Sequence, residues 1–446
     1  MFLTGGGARS DILSLVILRP TAIIFLGIGA WRLSQADLAD YRFLFGIAFA
    51  LFVLVVIHLI PLPPSLWSAL PGREIIAEAD RVAGLGSVWR PISLAPATTW
   101  NALFAMCVPM TVLVFAAQLD QKQLFKLLTI IIIVGLISGF LGLLQTIGSG
   151  ERSFYLYRIT NDDAAVGLFA NRNHQAFLLA CLFPALAAFA STAARTPEKT
   201  KVRAGLTIAA GLCLVPLLLV TGSRAGLILG VIGLLSVAFI YRTPKNNLPE
   251  KRKAHRFNIR RVLGPLLVVG LGLLTYLMSR AQAIDRLTAS DPTEDLRYII
   301  WQPMINLIIK YFPVGSGIGS FVESFQIDEP NSLLDTGYIN HAHNDWLEAL
   351  STGGLAAAIL MLIIMIGWVR IIWTARHQTS ADNDHIILVR LGAAIVLLTA
   401  VASAVDYPLR VPSLACVFTL AAVWMTNRRH ENVGHAKLAT KTSGSD

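Results

Sequence analysis

Long apolar runs separated by short polar connections dominate the 446-residue chain. The runs fall at 10–31, 42–60, 98–117, 124–147, 171–193, 204–221, 225–241, 262–279, 346–373, 386–405 and 411–427. Each holds about 17 residues or more, enough for a helix to cross a hydrocarbon core about 30 Å thick. In hydrocarbon only helices or closed barrels satisfy the backbone, and runs this long and continuous predict helices. The expected fold is all-α: a polytopic transmembrane helical bundle of about 11–12 spans with one large helical loop outside the membrane. Arg19 and Pro20 interrupt the first run. Proline removes a backbone donor and arginine must snorkel, so residues 10–19 can instead lie along the interface.

Only 14% of the residues are charged, against roughly a quarter in soluble domains. The net charge of +10 raises a nucleic-acid reading, but its distribution argues otherwise. Arg242, Lys245, Lys251, Arg252, Lys253, Arg256, Arg260 and Arg261 crowd one connection; Arg195, Lys199, Lys201 and Arg203 fill another. Basic loops flanking spans mark the cytoplasmic side, which accounts for the charge and leaves no nucleic-acid partner to expect. Alternation then places 148–170, the tight turn near 222–224, 280–345 and 406–410 outside. The 280–345 loop agrees, with Arg280, Arg286, Arg297 and Lys310 against nine acidic residues. The chain divides into N-terminal transmembrane helices over 1–160, a second membrane domain over 161–427 that includes this loop, and a cytoplasmic tail over 428–446.

Cys107, Cys181, Cys213 and Cys416 all fall inside apolar runs, where a thiol is a small hydrophobe and neither a disulfide framework nor a zinc site is indicated. No short apolar segment followed by a small-residue cleavage site opens the chain, so no removable signal peptide is expected.

Polar side chains at the outer ends of spans change the picture, because such residues mark sites by default. In "TGSRAG" (221–226), Arg224 either snorkels to headgroups or offers a planar fork to a phosphate. In "DLRYIIWQPMINLIIKYFPVGSGIGSF" (295–321), an amphipathic helix carries Arg297 and Trp301 at i, i+4. Arg297 there either pairs with Asp291 or Glu294 or serves a site. Gly315, Gly317 and Gly319 follow no strand, so they read as a turn packed near the site, not a nucleotide loop. In "HAHNDWLEALSTGG" (341–354), His341 and His343 at i, i+2 would not share a helix face. Metal ligation by the pair is weak on that spacing; one histidine serves as a base, or both hydrogen-bond at the interface. "GLFANRNHQAF" (167–177) brings Asn171 and His174, as a helix cap or a cavity wall. "DYPLRVP" (406–412) brings Asp406 and Arg410, which can pair with each other.

These segments, in this order over about 165–415, resemble the O-antigen ligase and O-antigen polymerase superfamily of bacterial envelope glycosyltransferases. The resemblance implies a multi-pass protein of the bacterial inner membrane with its site facing the periplasm, and 280–345 as a periplasmic loop. It implies transfer of glycan from an undecaprenyl-diphosphate carrier to an acceptor glycan or lipid A-core, without cofactor, nucleotide sugar or metal. Carried over by motif, His343 is the catalytic residue that assists the acceptor hydroxyl, and Arg224 and Arg297 hold the lipid diphosphate. Asn171, His174, Trp301, His341, Asn344, Asp406 and Arg410 are supporting residues. Polymerase and ligase both remain open, and a transporter or flippase for a lipid-linked or anionic solute is the alternative of a different class.

Overall fold

The computed structural model describes residues 1–147, 154–162, 164–192, 196–244, 292–334, 337–377 and 383–426. The helices are α1 (Leu15–Arg32), α2 (Gln35–Asp40), α3 (Arg42–His58), α4 (Pro64–Trp67), α5 (Glu74–Val82), α6 (Pro96–Ala117), α7 (Gln121–Ile147) and α8 (Arg172–Ser191). They continue as α9 (Pro197–Val220), α10 (Arg224–Ile240), α11 (Pro292–Tyr311), α12 (Phe321–Ile327), α13 (Asp345–His377), α14 (Asn383–Ala402) and α15 (Pro412–Thr426). Seven of these are long and apolar enough to cross a membrane, and three shorter apolar ones (α3, α10 and α15) join them. The protein is an all-α polytopic helical protein. Among the described residues the strands are one antiparallel pair, Pro61–Leu62 with Arg90–Pro91. The span expected at 262–279 lies outside the described residues, as do 245–261, 280–291 and the tail.

α8 is the central post. Most of its apolar window, 94%, is buried, as expected for a helix that is hydrophobic on every face. It packs against α7, α9, α10 and α14, around a core that includes Phe177, Leu182, Leu391 and Trp424. Its start is fixed locally: the Asn171 Oδ1 accepts the Asn173 N–H at 2.8 Å, satisfying one of the donors a helix start leaves open. Ser223 caps α10 the same way, accepting from the Gly226 N–H at 2.9 Å. By contrast, only 6% of the apolar window of α13 is buried, so this helix faces outward along most of its length.

The first helix is continuous from Leu15 to Arg32, with Pro20 inside it. The break expected at Arg19 and Pro20 therefore does not form, and residues 15–19 belong to the same helix as 20–32. Arg19 does not need to snorkel, because its Nη1 donates to the Asn101 Oδ1 of α6 at 2.5 Å. Ahead of this helix, the Gly5 carbonyl accepts from Ser413 N–H and the Gly6 carbonyl from Ala170 N–H. The chain start is thus pinned at the same end of the bundle as 165–172 and 404–412.

α13 is broken. Gly354 has φ 57° and ψ −144°, which separates a short first segment from the long outward one. The break releases the Ser351 and Thr352 carbonyls, and the preceding turn takes them: Ser316 N–H donates to the first at 3.0 Å and Gly317 N–H to the second at 2.9 Å. The Leu355 N–H in return donates to the Pro313 carbonyl at 2.8 Å. Only glycine fits at this crossing: a Cβ on Gly354 would lie 2.2 Å from the Pro313 oxygen, and one on Gly315 2.4 Å from the Thr352 oxygen. Irregular backbone is tolerated beside a membrane when protein groups satisfy it in this way. The glycine turn expected at 315–319 is present, and it is packed on the helix that begins just after His343.

A hairpin over 59–95, between α3 and α6, braces the other side of that turn. Arg73, fully buried, donates to the carbonyls of Pro71 at 2.9 Å, Ile92 at 2.7 Å and Gly315 at 3.0 Å. Its guanidinium lies 5.2 Å from the centre of the Tyr311 ring, a cation–π distance.

Candidate active site

Three polar segments meet at one end of the bundle: the start of α8, residues 340–348 leading into α13, and the turn 403–410 between α14 and α15. The α9–α10 turn joins them, because Ser223 Oγ donates to Asn173 Oδ1 at 2.7 Å.

The 340–348 segment is sewn to the 403–410 turn through its backbone and its caps. Asp345 N–H donates to the Ser403 carbonyl at 2.8 Å, and Asn344 Nδ2 donates to the Ala404 carbonyl at 2.8 Å. Asn344 Oδ1 accepts the Leu347 N–H at 3.1 Å and so caps α13. Trp346 adds an indole N–H to the Ala400 carbonyl at 3.0 Å. The helix therefore starts at 345, and the two histidines lie on non-helical backbone before it. His343 sits at φ +48°, a left-handed conformation uncommon outside glycine and asparagine-like residues, and a sign of local constraint.

That backbone overturns the expectation that His341 and His343 point apart. Both rings pack on Tyr407, with centroids 4.5 Å and 4.9 Å from its ring, and His174 approaches the same ring at 5.2 Å. Tyr407 is the hub of the site. Burial, helped by the Asp406 carboxylate, pushes its phenol well above the ordinary tyrosine range. It stays protonated and is a donor and a wall, not a base.

Asp406 and Arg410 do not pair, which corrects the simplest reading of "DYPLR". The Arg410 guanidinium turns to α13, with Nη2 3.2 Å from Glu348 Oε1 and Nε 3.5 Å from Asp345 Oδ1. Burial alone would lower the Arg410 pKa; the two carboxylates outweigh it and raise it, so the arginine is a fixed cation. Glu348, with only 3% of its side chain exposed, also lies 3.3 Å from His341 Nδ1 and accepts the Ala342 N–H at 3.0 Å. Asp345 Oδ2 accepts from Ser403 Oγ at 3.0 Å and from the Leu409 N–H at 3.3 Å.

Asp406 instead faces two imidazoles. Its Oδ1 lies 3.8 Å from His343 Nδ1 and 3.8 Å from His174 Nε2. The His343 side chain keeps 26% exposure while the Asp406 and His174 side chains keep 5% and 2%. His343 is thus the most exposed of the three histidines, at 26% against 15% for His341 and 2% for His174; as His341 faces Glu348, it faces a buried carboxylate. Behind it, Asn173, His174 and Asp406 line a small cavity whose other walls include Phe177, Ala225, Leu229 and Pro408.

Arg224 is the first residue of α10, half-buried, and adjacent to the Ala225 that lines this cavity. Arg297 lies on the first turns of α11, and its side chain is outside the described ones. One turn on, Ile300 is buried in the cluster that also holds Met304, Leu307 and Ala342, which docks α11 on the histidine segment. Trp301, 41% exposed, lies beside this buried face without belonging to it. Asn171 caps α8, and it also reaches the Tyr407 hydroxyl. Among the described residues, no three His, Cys, Asp or Glu side chains are placed to hold a metal ion.

Sequence reasoning passed over Tyr407, Asp345 and Glu348. The burial of the two acids against Arg410 depends on a packing partner about 60 residues away in the chain. The signal was in plain sight only for Glu348, an acid deep in the first turns of an apolar span.

Residues 209–362 match the O-antigen ligase family, a stretch that contains Arg224, Arg297 and His343. No curated protein matches the chain.

Proposed function

We propose, from the match of residues 209–362 to the O-antigen ligase family and from the site geometry, that the chain is an inner-membrane glycosyltransferase working at the periplasmic face. It moves glycan from an undecaprenyl-diphosphate carrier to the hydroxyl of an acceptor glycan or lipid A-core.

The observation that carries this reading is the His343–Asp406 pair at 3.8 Å, exposed at the imidazole and buried at the carboxylate. A carboxylate facing Nδ1 favours the tautomer with the proton there, leaving the Nε2 lone pair for an incoming hydroxyl. In the step proposed, the acceptor oxygen bonds to the anomeric carbon as the bond from that carbon to the diphosphate oxygen breaks. The hydroxyl proton passes to His343 Nε2, and the electron pair leaves with the carrier diphosphate. Asp406 stabilises the imidazolium that forms. The 3.8 Å separation is long for a hydrogen bond, and such contacts tighten when substrate binds.

Arg224 and Arg297 are assigned to the departing diphosphate, whose charge needs fixed cations near the headgroup level. Arg410 is not available for that role, since Glu348 and Asp345 hold it. What supports an enzyme over a transporter or flippase is the position of these groups. His343, Asn171, Arg224 and Arg410 all lie at helix ends or in turns at one end of the bundle, whereas transporter sites lie near the midplane.

The test is purified protein in vesicles with an undecaprenyl-diphosphate oligosaccharide, assayed with and without lipid A-core. Chain growth on the carrier identifies a polymerase, and transfer to the core alone identifies a ligase. Movement of the carrier across the bilayer with no new glycosidic bond would overturn both.

A further inference from the structure

Asp406 is shared. Its Oδ1 is equidistant, at 3.8 Å, from the reachable His343 and from His174, a histidine of α8 with 2% of its side chain exposed. His174 is not held by anything else polar: neither of its ring nitrogens makes a hydrogen bond. A buried imidazole with two open nitrogens is costly unless a partner compensates it, and the group its Nε2 faces is the Asp406 carboxylate. Its ring also meets Tyr407 edge-on, at 5.2 Å between centroids, which fixes the plane in which Nε2 is presented. The Tyr407 N–H donates to the same Oδ1 at 2.9 Å. One carboxylate oxygen therefore accepts a backbone donor and is approached at 3.8 Å by two imidazoles, one from inside the bundle and one from the substrate side.

We propose that His174 is a positioning residue for the transfer reaction: its Nε2–H holds the Asp406 carboxylate in place and ionised opposite His343. The sequence stretch "NRNHQAF" then has a purpose beyond capping α8. Asn171 sets where the helix begins, and the cap puts His174 on its first turn, aimed at the 403–410 turn. Without the inner donor, Asp406 would lose one of the contacts that favour its charged form, and a buried carboxylate that takes a proton cannot stabilise an imidazolium. This inference rests on the reading of His343 as the base.

Two substitutions separate a hydrogen-bonding role from packing. His174→Gln keeps a nitrogen donor near the Nε2 position and lacks an ionisable ring. His174→Phe keeps the ring against Tyr407 and removes the donor. The readout is single-turnover transfer from undecaprenyl-diphosphate oligosaccharide by the full-length protein in vesicles, beside donor binding and thermal stability. His174→Phe should slow transfer about tenfold or more, the size of one lost hydrogen bond to a charged group, with donor binding unchanged. His174→Gln should stay within a few-fold of wild type. In an Asp406→Asn background, His174→Phe should add no further loss, because residues that act as a unit are non-additive.

A phenylalanine variant that transfers as well as wild type, or better than the glutamine variant, would make His174 a packing residue and overturn the proposal. Losses that multiply in the double variant would do the same. If the phenylalanine variant fails to insert, the glutamine variant decides alone, and a tenfold drop in it counts against the idea. His343→Ala separates the two levels. Wild-type transfer by that variant removes the catalytic reading itself, whereas slow transfer there with fast His174→Phe removes only the role given to His174.

Discussion

Arg410 and Asp406 stand one short turn apart and yet serve different partners. Arg410 reaches across to Glu348 and Asp345 on α13, while Asp406 faces His343 and His174. The turn Pro408–Arg410 between them lets two charges that would otherwise cancel be spent separately. One locks the start of α13, and the other is left opposite the imidazole that substrate can reach.

His343→Ala should cut single-turnover transfer by about 100-fold or more, a common loss for a general base. Asp406→Asn should follow it closely. Donor affinity should change little in either variant, because both groups meet the acceptor side. Wild-type transfer by His343→Ala would reduce the imidazole to an interfacial hydrogen-bonding group.

The two arginines assigned to the donor should behave otherwise, since a diphosphate is charged both bound and departing. Arg297→Ala and Arg224→Ala should weaken donor binding and slow transfer together. Arg297→Lys should recover only part of the loss, because an ammonium keeps the charge without the planar fork. Donor affinity measured beside the single-turnover rate checks this, and unchanged affinity in both alanine variants would remove the assignment.

Glu348→Ala leaves Arg410 facing a hole where its closest carboxylate stood. Arg410 keeps Asp345 and is partly exposed, so the loss is smaller than the roughly 3–5 kcal/mol of a stranded buried charge, and the melting transition in detergent should still drop. Glu348→Gln should drop less, since its oxygen can still accept the Ala342 N–H. Glu78→Ala is the control: its partner Arg81 is on the surface, with both side chains more than half exposed, and melting should not move.

Gly354→Ala places a Cβ against the Pro313 oxygen at a backbone angle few other residues adopt. A strained position of this kind costs about 1–3 kcal/mol before the clash is added. Gly211→Ala, in α9, meets nothing within 4 Å, and alanine is the better helix former by about 1 kcal/mol. The first variant should melt lower than wild type and the second no lower. Equal melting of the two would argue against the break in α13.

The orientation read from charge is tested by cysteine labelling from outside the cell membrane. A probe at Ser332 should be modified and one at Asn246 spared. The reverse pattern would turn the whole site to the cytoplasmic side.

The helices and the polar segments were legible in the chain because hydropathy is a local property. Runs such as 171–193 and 346–373 were found to within a few residues as α8 and α13. The five motif segments were also visible, being polar where the surroundings are not. Pairing within the site was not legible. His341 and His343 were judged by helix spacing, but α13 starts only at Asp345, and the left-handed backbone at His343 brings both rings to Tyr407. Asp406 and Arg410 looked like each other's partner because they are close in sequence. Their real partners lie on other helices, and only tertiary packing decides that. Arg19 and Pro20 looked like a break because nothing in a single run announces Asn101 as a partner from α6.

Arg73 has a consequence for anyone who would cut and recombine such chains. It ties a hairpin from the first hundred residues to the Gly315 carbonyl, in the turn on which the broken helix α13 rests. The hairpin lies outside the stretch that matches a known family, so a graft guided by that match alone would leave it behind. Such a chimera would bring its own motif residues and a foreign brace, with a host side chain in place of Arg73 beneath the turn. Exchange of parts between these proteins is therefore expected to work in matched sets, the hairpin 59–95 travelling with 313–354. Specificity transferred without it would arrive in a site whose floor had been removed.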